Sequence, residues 1–212
     1  MSRKLELLDL MQIDTSWIKE KNVIHKSLRS LSDLKLEANN CHKCELSKTR
    51  TNVVFGKGSN KSKVLIIGEA PGKDEDISGE PFVGRAGKLL TEILFSMNLD
   101  RENVYITNTV KCRPPENRNP NGNEINACAD YLDDQINIIS PNIIIILGKI
   151  AAERLMHTSE PMANLRGKVH YYKDTKVPML VFYHPAYLLR SPSEKSKVWD
   201  DILLMKRITH VC

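Results

Sequence analysis

Long apolar runs are missing from this 212-residue sequence: no unbroken stretch exceeds five residues, the length of Ile143–Leu147. A membrane-spanning helix needs ~20, so a membrane protein of helical spans is excluded. A secretion signal is not expected either. Met1-Ser-Arg-Lys leads into Leu5-Glu-Leu-Leu-Asp, with acidic residues where an apolar core would stand. No internal repeat or low-complexity segment is visible. There is no Walker A motif, because Gly-Lys-Ser/Thr is absent, and no Gly-x-Gly-x-x-Gly. There is no large excess of charge of one sign, since 31 basic residues face 26 acidic ones for a net +5. That balance permits a polyanionic partner without requiring one. What is present is an ordinary globular composition, 41% hydrophobic and 27% charged. A chain of this length buries roughly 70% of its unfolded surface and needs no staples. The expected protein is soluble and cytosolic, where thiols bind metals or clusters more often than they form disulfides.

The charge is unevenly placed. Residues 1–50 carry net +3 and residues 151–212 net +4, while residues 51–150 carry −2. Solvated surface helices explain this as well as two basic ends tracking a phosphate backbone do.

The spacing predicts helices over residues 1–40, with a break near Asp14, and over 86–98, 124–139, 148–156 and 193–209. Strands are expected near Val53, at Val64–Ile67, Val104–Thr107 and Ile143–Leu147, with a hairpin of Gly167–Tyr172 and Pro178–Phe182. Strands alternating with helices indicate an α/β fold with a mostly parallel sheet. Ligands of such sheets bind at the carboxyl ends of the strands. Three polar segments fall there: Glu69–Gly84, Asn108–Asn123 and His184–Arg190.

Four groups of residues carry chemistry. Cys41 and Cys44 form C-x2-C; Cys112 lies 68 residues on and Cys128 a further 16. Four thiolates suit zinc or an iron–sulfur cluster. A second C-x2-C, the mark of a zinc ribbon, is absent. The alternative, that Cys112 and Cys128 are core thiols, sits poorly with Cys112 between Lys111 and Arg113-Pro-Pro. Cys212, the fifth, is a spare. The second group is Gly68-Glu-Ala-Pro-Gly72 followed by the acidic 73–76 and by Gly79 to Gly87, a ligand-approaching loop or a long polar surface loop. The third is Thr107-Asn108, where the amide can read a planar ring edge or cap a turn. The fourth is Tyr183-His184-Pro-Ala-Tyr-Leu-Leu-Arg190, whose histidine is a candidate acid, oxyanion donor or ligand, or a structural residue.

Together these motifs resemble the family 4, iron–sulfur, uracil-DNA glycosylases. The matching residues are Gly68–Gly72, Glu75-Asp76, Pro81–Gly84 with Ala86-Gly87, Thr107-Asn108, His184–Arg190 and the four cysteines. The resemblance covers about residues 30–209. One departure is Ser191, where the pattern has Asn. It implies a three-layer α/β/α sandwich around a four-stranded, mostly parallel sheet. Residues 28–212 would form the glycosylase domain and residues 1–27 a helical extension, open to a replication or repair protein. Cys41, Cys44, Cys112 and Cys128 would hold a [4Fe–4S] cluster. The implied enzyme is monomeric, cytoplasmic and nucleoid-associated. It would hydrolyse the N-glycosidic bond of uracil in single- or double-stranded DNA and initiate base excision repair, without lyase activity. Phe82 would stack on the base and Asn108 read its edge. Glu75 would stand near C5, with Ala70 beside the ring. His184 would stabilise the uracil anion, and Glu69 would position water in place of the Asp that family 1 has where Ala70 stands. Leu188, Leu189 and Arg190 would enter the stack or hold its backbone. Lys111 is expected on the surface. The alternatives are a glycosylase for hypoxanthine or xanthine, and a non-enzymatic cluster or zinc protein that binds nucleic acid.

Overall fold

In the computed structural model, residues 29–209 are described. The helical extension expected over residues 1–27, and Cys212, lie outside the described residues. The chain divides between Ser30 and Leu31, and the larger unit is a sheet covered by helices on both faces. Its elements are α1 (Leu31–Asn39), β1 (Lys57–Gly58), β2 (Val64–Gly68), α2 (Lys73–Ser78), α3 (Arg85–Ser96), β3 (Val104–Asn108), α4 (Gly122–Ile139), β4 (Ile143–Leu147), α5 (Lys149–Met156), α6 (Met162–Leu165), β5 (His170–Tyr171), β6 (Pro178–Phe182), α7 (Pro185–Arg190) and α8 (Lys195–Ile208).

The sheet has six strands in the order β1-β3-β2-β4-β6-β5. The inner four, β3, β2, β4 and β6, are parallel, and the two-residue edge strands are antiparallel. The four-stranded sheet implied by the resemblance is therefore the core of a wider one. The hairpin expected from Gly167–Tyr172 and Pro178–Phe182 is present, with β5 only two residues long, while the strand expected near Val53 lies instead at Lys57–Gly58; both short strands cover edges that would otherwise offer unpaired N–H and C=O groups.

The inner strands read as continuous apolar runs because both faces are buried. Alternate residues sort to opposite sides. Val64, Ile66, Ile143 and Ile145 pack with Leu90 and Leu94 of α3 and Val198 and Ile202 of α8. Leu65, Ile67, Ile144 and Ile146 pack with Leu132 and Ile136 of α4 and with Ala151 and Ala152 of α5. This makes three layers. A third core lies under α1, where Leu34, Leu46, Phe55, Val110 and Tyr131 surround Cys112 and Cys128.

Three short helices, α2, the single turn α6 and α7, escape the sequence pattern. α2 lies in the segment expected to be loop. It starts in a run of Asp74, Glu75 and Asp76, anions favoured at a helix N-terminus, but its exposed Ile77 leaves no apolar stripe to detect. α7 follows His184 directly, with Pro185 at its first turn, a position that suits a residue without an N–H.

Candidate active site

A cavity of about 400 Å³ opens at the carboxyl ends of the parallel strands. Gly68 and Asn108 end β2 and β3 in register, which places Glu69 beside Asn108. His184 enters two residues past β6. Glu69, Ala70, Glu75, Phe82, Asn108, His184 and Arg190 all line the cavity. Residues separated by more than 100 positions thus meet because parallel strands send their ends to one side.

Asn108 is 1% exposed, and its Oδ1 has no hydrogen-bond partner. A buried acceptor without a partner costs about 1–3 kcal/mol, so such an atom on a residue that lines a cavity is suited to a ligand's donor. Position 68 must be glycine for this arrangement. A Cβ there would lie 2.4 Å from Asn108 Oδ1 and 2.6 Å from Phe82 Cζ.

Phe82 has a left-handed backbone, φ 55°, which costs of order 1–3 kcal/mol in a non-glycine residue and persists only where the surroundings enforce it. The enforcing contacts are visible. Arg101 Nη2 donates to the Pro81 carbonyl at 2.8 Å. Glu75 Oε1 accepts from the N–H groups of Val83 (2.8 Å) and Gly84 (2.9 Å), and Oε2 accepts from Gly72 N–H at 3.1 Å. A Cβ on Gly87 would come within 1.8 Å of the Phe82 carbonyl oxygen. The Phe82 ring stands 5.6 Å from the His184 ring. Glu75 lines the cavity, but its carboxylate already serves as a clamp between two loops.

His184 Nδ1 accepts from Ala186 N–H at 3.1 Å, which leaves the proton of a neutral ring on Nε2. Burial, aided by the positive Arg190, lowers its pKa to about 4. The ring is therefore neutral at pH 7 and offers an Nε2–H donor. Burial, and secondarily the charge of Glu153 on α5, raises the pKa of Glu69 above the usual carboxylate value.

Two sequence expectations are corrected. Leu188 is 1% exposed, packed between the sheet and α3 and α8, so it cannot enter a base stack. α7 turns it inward and leaves its neighbours Tyr187 and Leu189 exposed, each 36%. Lys111 is no surface residue: it is 2% exposed, because the chain turns under α4 immediately after β3. Asn117, Arg118, Asn119 and Tyr187 also line the cavity and were not singled out. The loop of five asparagines and three prolines between residues 108 and 123 was the only signal for the first three.

The family model of the uracil DNA glycosylase superfamily matches residues 55–203. The chain is 44% identical over 191 residues to the type-4 uracil-DNA glycosylase of Archaeoglobus fulgidus, covering 87% of this chain and 94% of that protein. The chain belongs to the uracil-DNA glycosylase superfamily. It is 45% identical to the type-4 uracil-DNA glycosylase of Pyrobaculum aerophilum (78% of this chain, 87% of that protein). With the type-4 enzyme of Thermotoga maritima it shares 43% identity (76% and 85%).

This member of the uracil-DNA glycosylase superfamily has a second small cavity, lined by Cys41, Cys44, Cys112 and Cys128. The first two precede a 3-10 turn, the third follows β3, and the fourth lies on α4. Arg50 Nη1 donates to Cys112 Sγ at 3.1 Å, and Arg50 Nη2 to the Cys41 carbonyl at 2.9 Å. Burial pushes the Cys112 thiol up and the Cys128 thiol to about 11. Among the described residues no group of three or more His, Cys, Asp or Glu is arranged to hold a metal ion. The donor set still fits a thiophilic group: four sulfurs around one cavity, one of them already receiving the N–H···S bond that iron–sulfur sites use. No helix among the described residues is long and apolar enough to cross a membrane.

Proposed function

We propose that this chain is a type-4, monofunctional uracil-DNA glycosylase that initiates base excision repair. The observation that carries the reading is the unpartnered, buried Oδ1 of Asn108 at the wall of a cavity shared with Phe82 and neutral His184. The base must leave the stack to reach this cavity, at a cost of a few kcal/mol. Phe82 then offers a ring face. Asn108 Oδ1 accepts from uracil N3–H and its amide donates to O4. Cytosine presents the opposite polarity and would leave buried groups unpaired.

Cleavage breaks the C1′–N1 bond, and the electron pair leaves with the base. Charge gathers on O2, where the His184 Nε2–H donates without having to give up a proton in water first, as an oxyanion donor does. The carboxylate of Glu69 faces the developing sugar cation and orients a water toward C1′. The water's proton passes through Glu69 to the uracil anion, giving free uracil and an abasic deoxyribose. Among the described residues no lysine lines the cavity, and Lys111, three residues after Asn108, is buried and hydrogen-bonded. This supports hydrolysis without lyase chemistry.

The four thiols would hold a [4Fe–4S] cluster, which when bound supplies iron–thiolate cross-links between three chain segments. Exposed Leu189 and Arg190 at the cavity rim are the residues suited to meet the DNA. A glycosylase domain beginning at residue 28, a monomeric, cytoplasmic and nucleoid-associated enzyme, and a protein-docking role for residues 1–27 complete the proposal and rest on the sequence. The test is release of uracil from single- and double-stranded oligonucleotides, in competition with hypoxanthine and xanthine. Asn108→Ala and His184→Ala should each lower excision by about 10²–10³-fold. Full activity in both variants would remove the site assignment.

A further inference from the structure

Lys111 is the least expected residue of the interior. Its Nζ donates to three acceptors: the Asn108 carbonyl at 2.7 Å, Thr107 Oγ1 at 2.8 Å and Gln135 Oε1 at 2.5 Å. An ammonium has three N–H donors, so all are used, and none goes to a carboxylate. The acceptors are themselves fixed. Thr107 Oγ1 donates to the Phe55 carbonyl at 2.8 Å, and Gln135 Nε2 donates to the same carbonyl at 2.8 Å and to Tyr105 Oη at 3.4 Å. The Lys111 carbonyl accepts from Val54 N–H at 2.8 Å. The network thus ties the end of β3 to α4 and to the segment before β1. Lys111 also lines the cavity of the four thiols.

Burying an ammonium in this way is expensive unless every donor is met, and an apolar side chain of similar length would fill the space at no such cost. The feature that needs an explanation is what the charge holds. Asn108 lacks a partner at Oδ1, so no bond from that oxygen fixes the direction of its amide in the empty site. Its backbone is paired with β2 and followed by the Thr109 N–H bond to the Gly68 carbonyl at 2.9 Å, and the one side chain gripping its carbonyl among the hydrogen bonds of this network is Lys111.

We propose that Lys111 is a positioning residue for base recognition, holding the Asn108 backbone so that the amide faces the incoming base. The inference rests on Asn108 as the uracil contact. A group misplaced by about 1 Å costs as much as 10²-fold in rate, so Lys111→Met should reduce kcat/KM for uracil excision by about 10–100-fold. Free uracil should inhibit that variant more weakly by a similar factor. Affinity for DNA carrying an abasic site, and the iron content of the purified protein, should match the wild type. The deciding measurement is a double-mutant cycle. In an Asn108→Ala background, adding Lys111→Met should change single-turnover excision by less than about 2-fold. An equal penalty in both backgrounds, or a parallel loss of abasic-site affinity and iron, overturns the proposal. Thr107→Val removes one acceptor with little change of shape and serves if Lys111→Met does not fold. It should give a smaller loss with the same dependence on Asn108, and a loss independent of Asn108 overturns the proposal equally. If Asn108→Ala alone leaves excision intact, it is the reading of the site that fails, whatever Lys111 does.

Discussion

At the residue scale, two titratable groups are set apart by their surroundings. His184 is kept neutral by burial, with a pKa of about 4. A histidine with a lowered folded value contributes no loss of stability above its unfolded pKa of ~6.5 and an increasing one as pH falls toward 4, since the unfolded chain binds the proton more readily. Its ring keeps the Nε2–H donor across that window. In the proposed mechanism the acid limb of activity belongs to Glu69, which would have to be ionised and whose pKa lies above the usual carboxylate range. Burial is the larger cause and Glu153 the second. Glu153→Gln removes a like charge without touching the cavity wall, so the acid limb of kcat/KM should move to lower pH, with the plateau unchanged. A pH–rate profile of the variant checks this. An unmoved limb would mean that Glu69 is not the group that titrates.

At the element scale, the six-residue helix α7 decides which leucine does what. Helical geometry puts adjacent residues about 100° apart, so Leu188 and Leu189 cannot share a role. Leu188 sits in the core with Ile93, Val198 and Ile202. Leu188→Ala should cost about 2–4 kcal/mol in stability, measured by denaturant melting, with kcat/KM near wild type at low temperature. Leu189 is exposed, so Leu189→Ala should leave stability within ~0.5 kcal/mol and lower excision from duplex DNA more than from single strands, where no stack has to be opened. The strand ends follow the same logic. β2 delivers Glu69 and β3 delivers Asn108 because their registers match, and the short α2 and its loop deliver Phe82 in a conformation that Glu75 and Arg101 hold.

At the scale of the whole molecule, the four thiols line one cavity from parts of the chain that no strand pairing joins, the turn after α1, the loop after β3 and α4, and the cluster proposed there would cross-link them. Cross-linking distant segments restricts the unfolded chain, an effect of about 2–4 kcal/mol for a covalent bridge. Cys112→Ser should therefore deplete iron and acid-labile sulfide and lower Tm by several degrees, about 2–4 °C per kcal/mol at this chain length. Far-UV circular dichroism should persist, because the sheet and its two cores do not depend on the thiols. A variant that keeps full iron would show that Cys112 is not a ligand.

The sequence by itself determined the α/β class, the order of the inner strands along the chain and the three segments that meet at their ends. Each rests on a local signal: an apolar run such as Ile143–Leu147, a helical period such as that of residues 86–98, or a polar interruption. It also marked Glu69, Asn108, His184 and the four cysteines as candidates. Only the tertiary structure decided three things. It placed Leu188 inside and Leu189 outside, because a six-residue helix is too short to show its face in sequence. It occupied the Glu75 carboxylate with backbone N–H groups from two loops, a partnership no spacing encodes. It buried Lys111, because the acceptors that make an interior ammonium tolerable come from Thr107, Asn108 and Gln135, and the last of these reaches it only when α4 packs against the sheet.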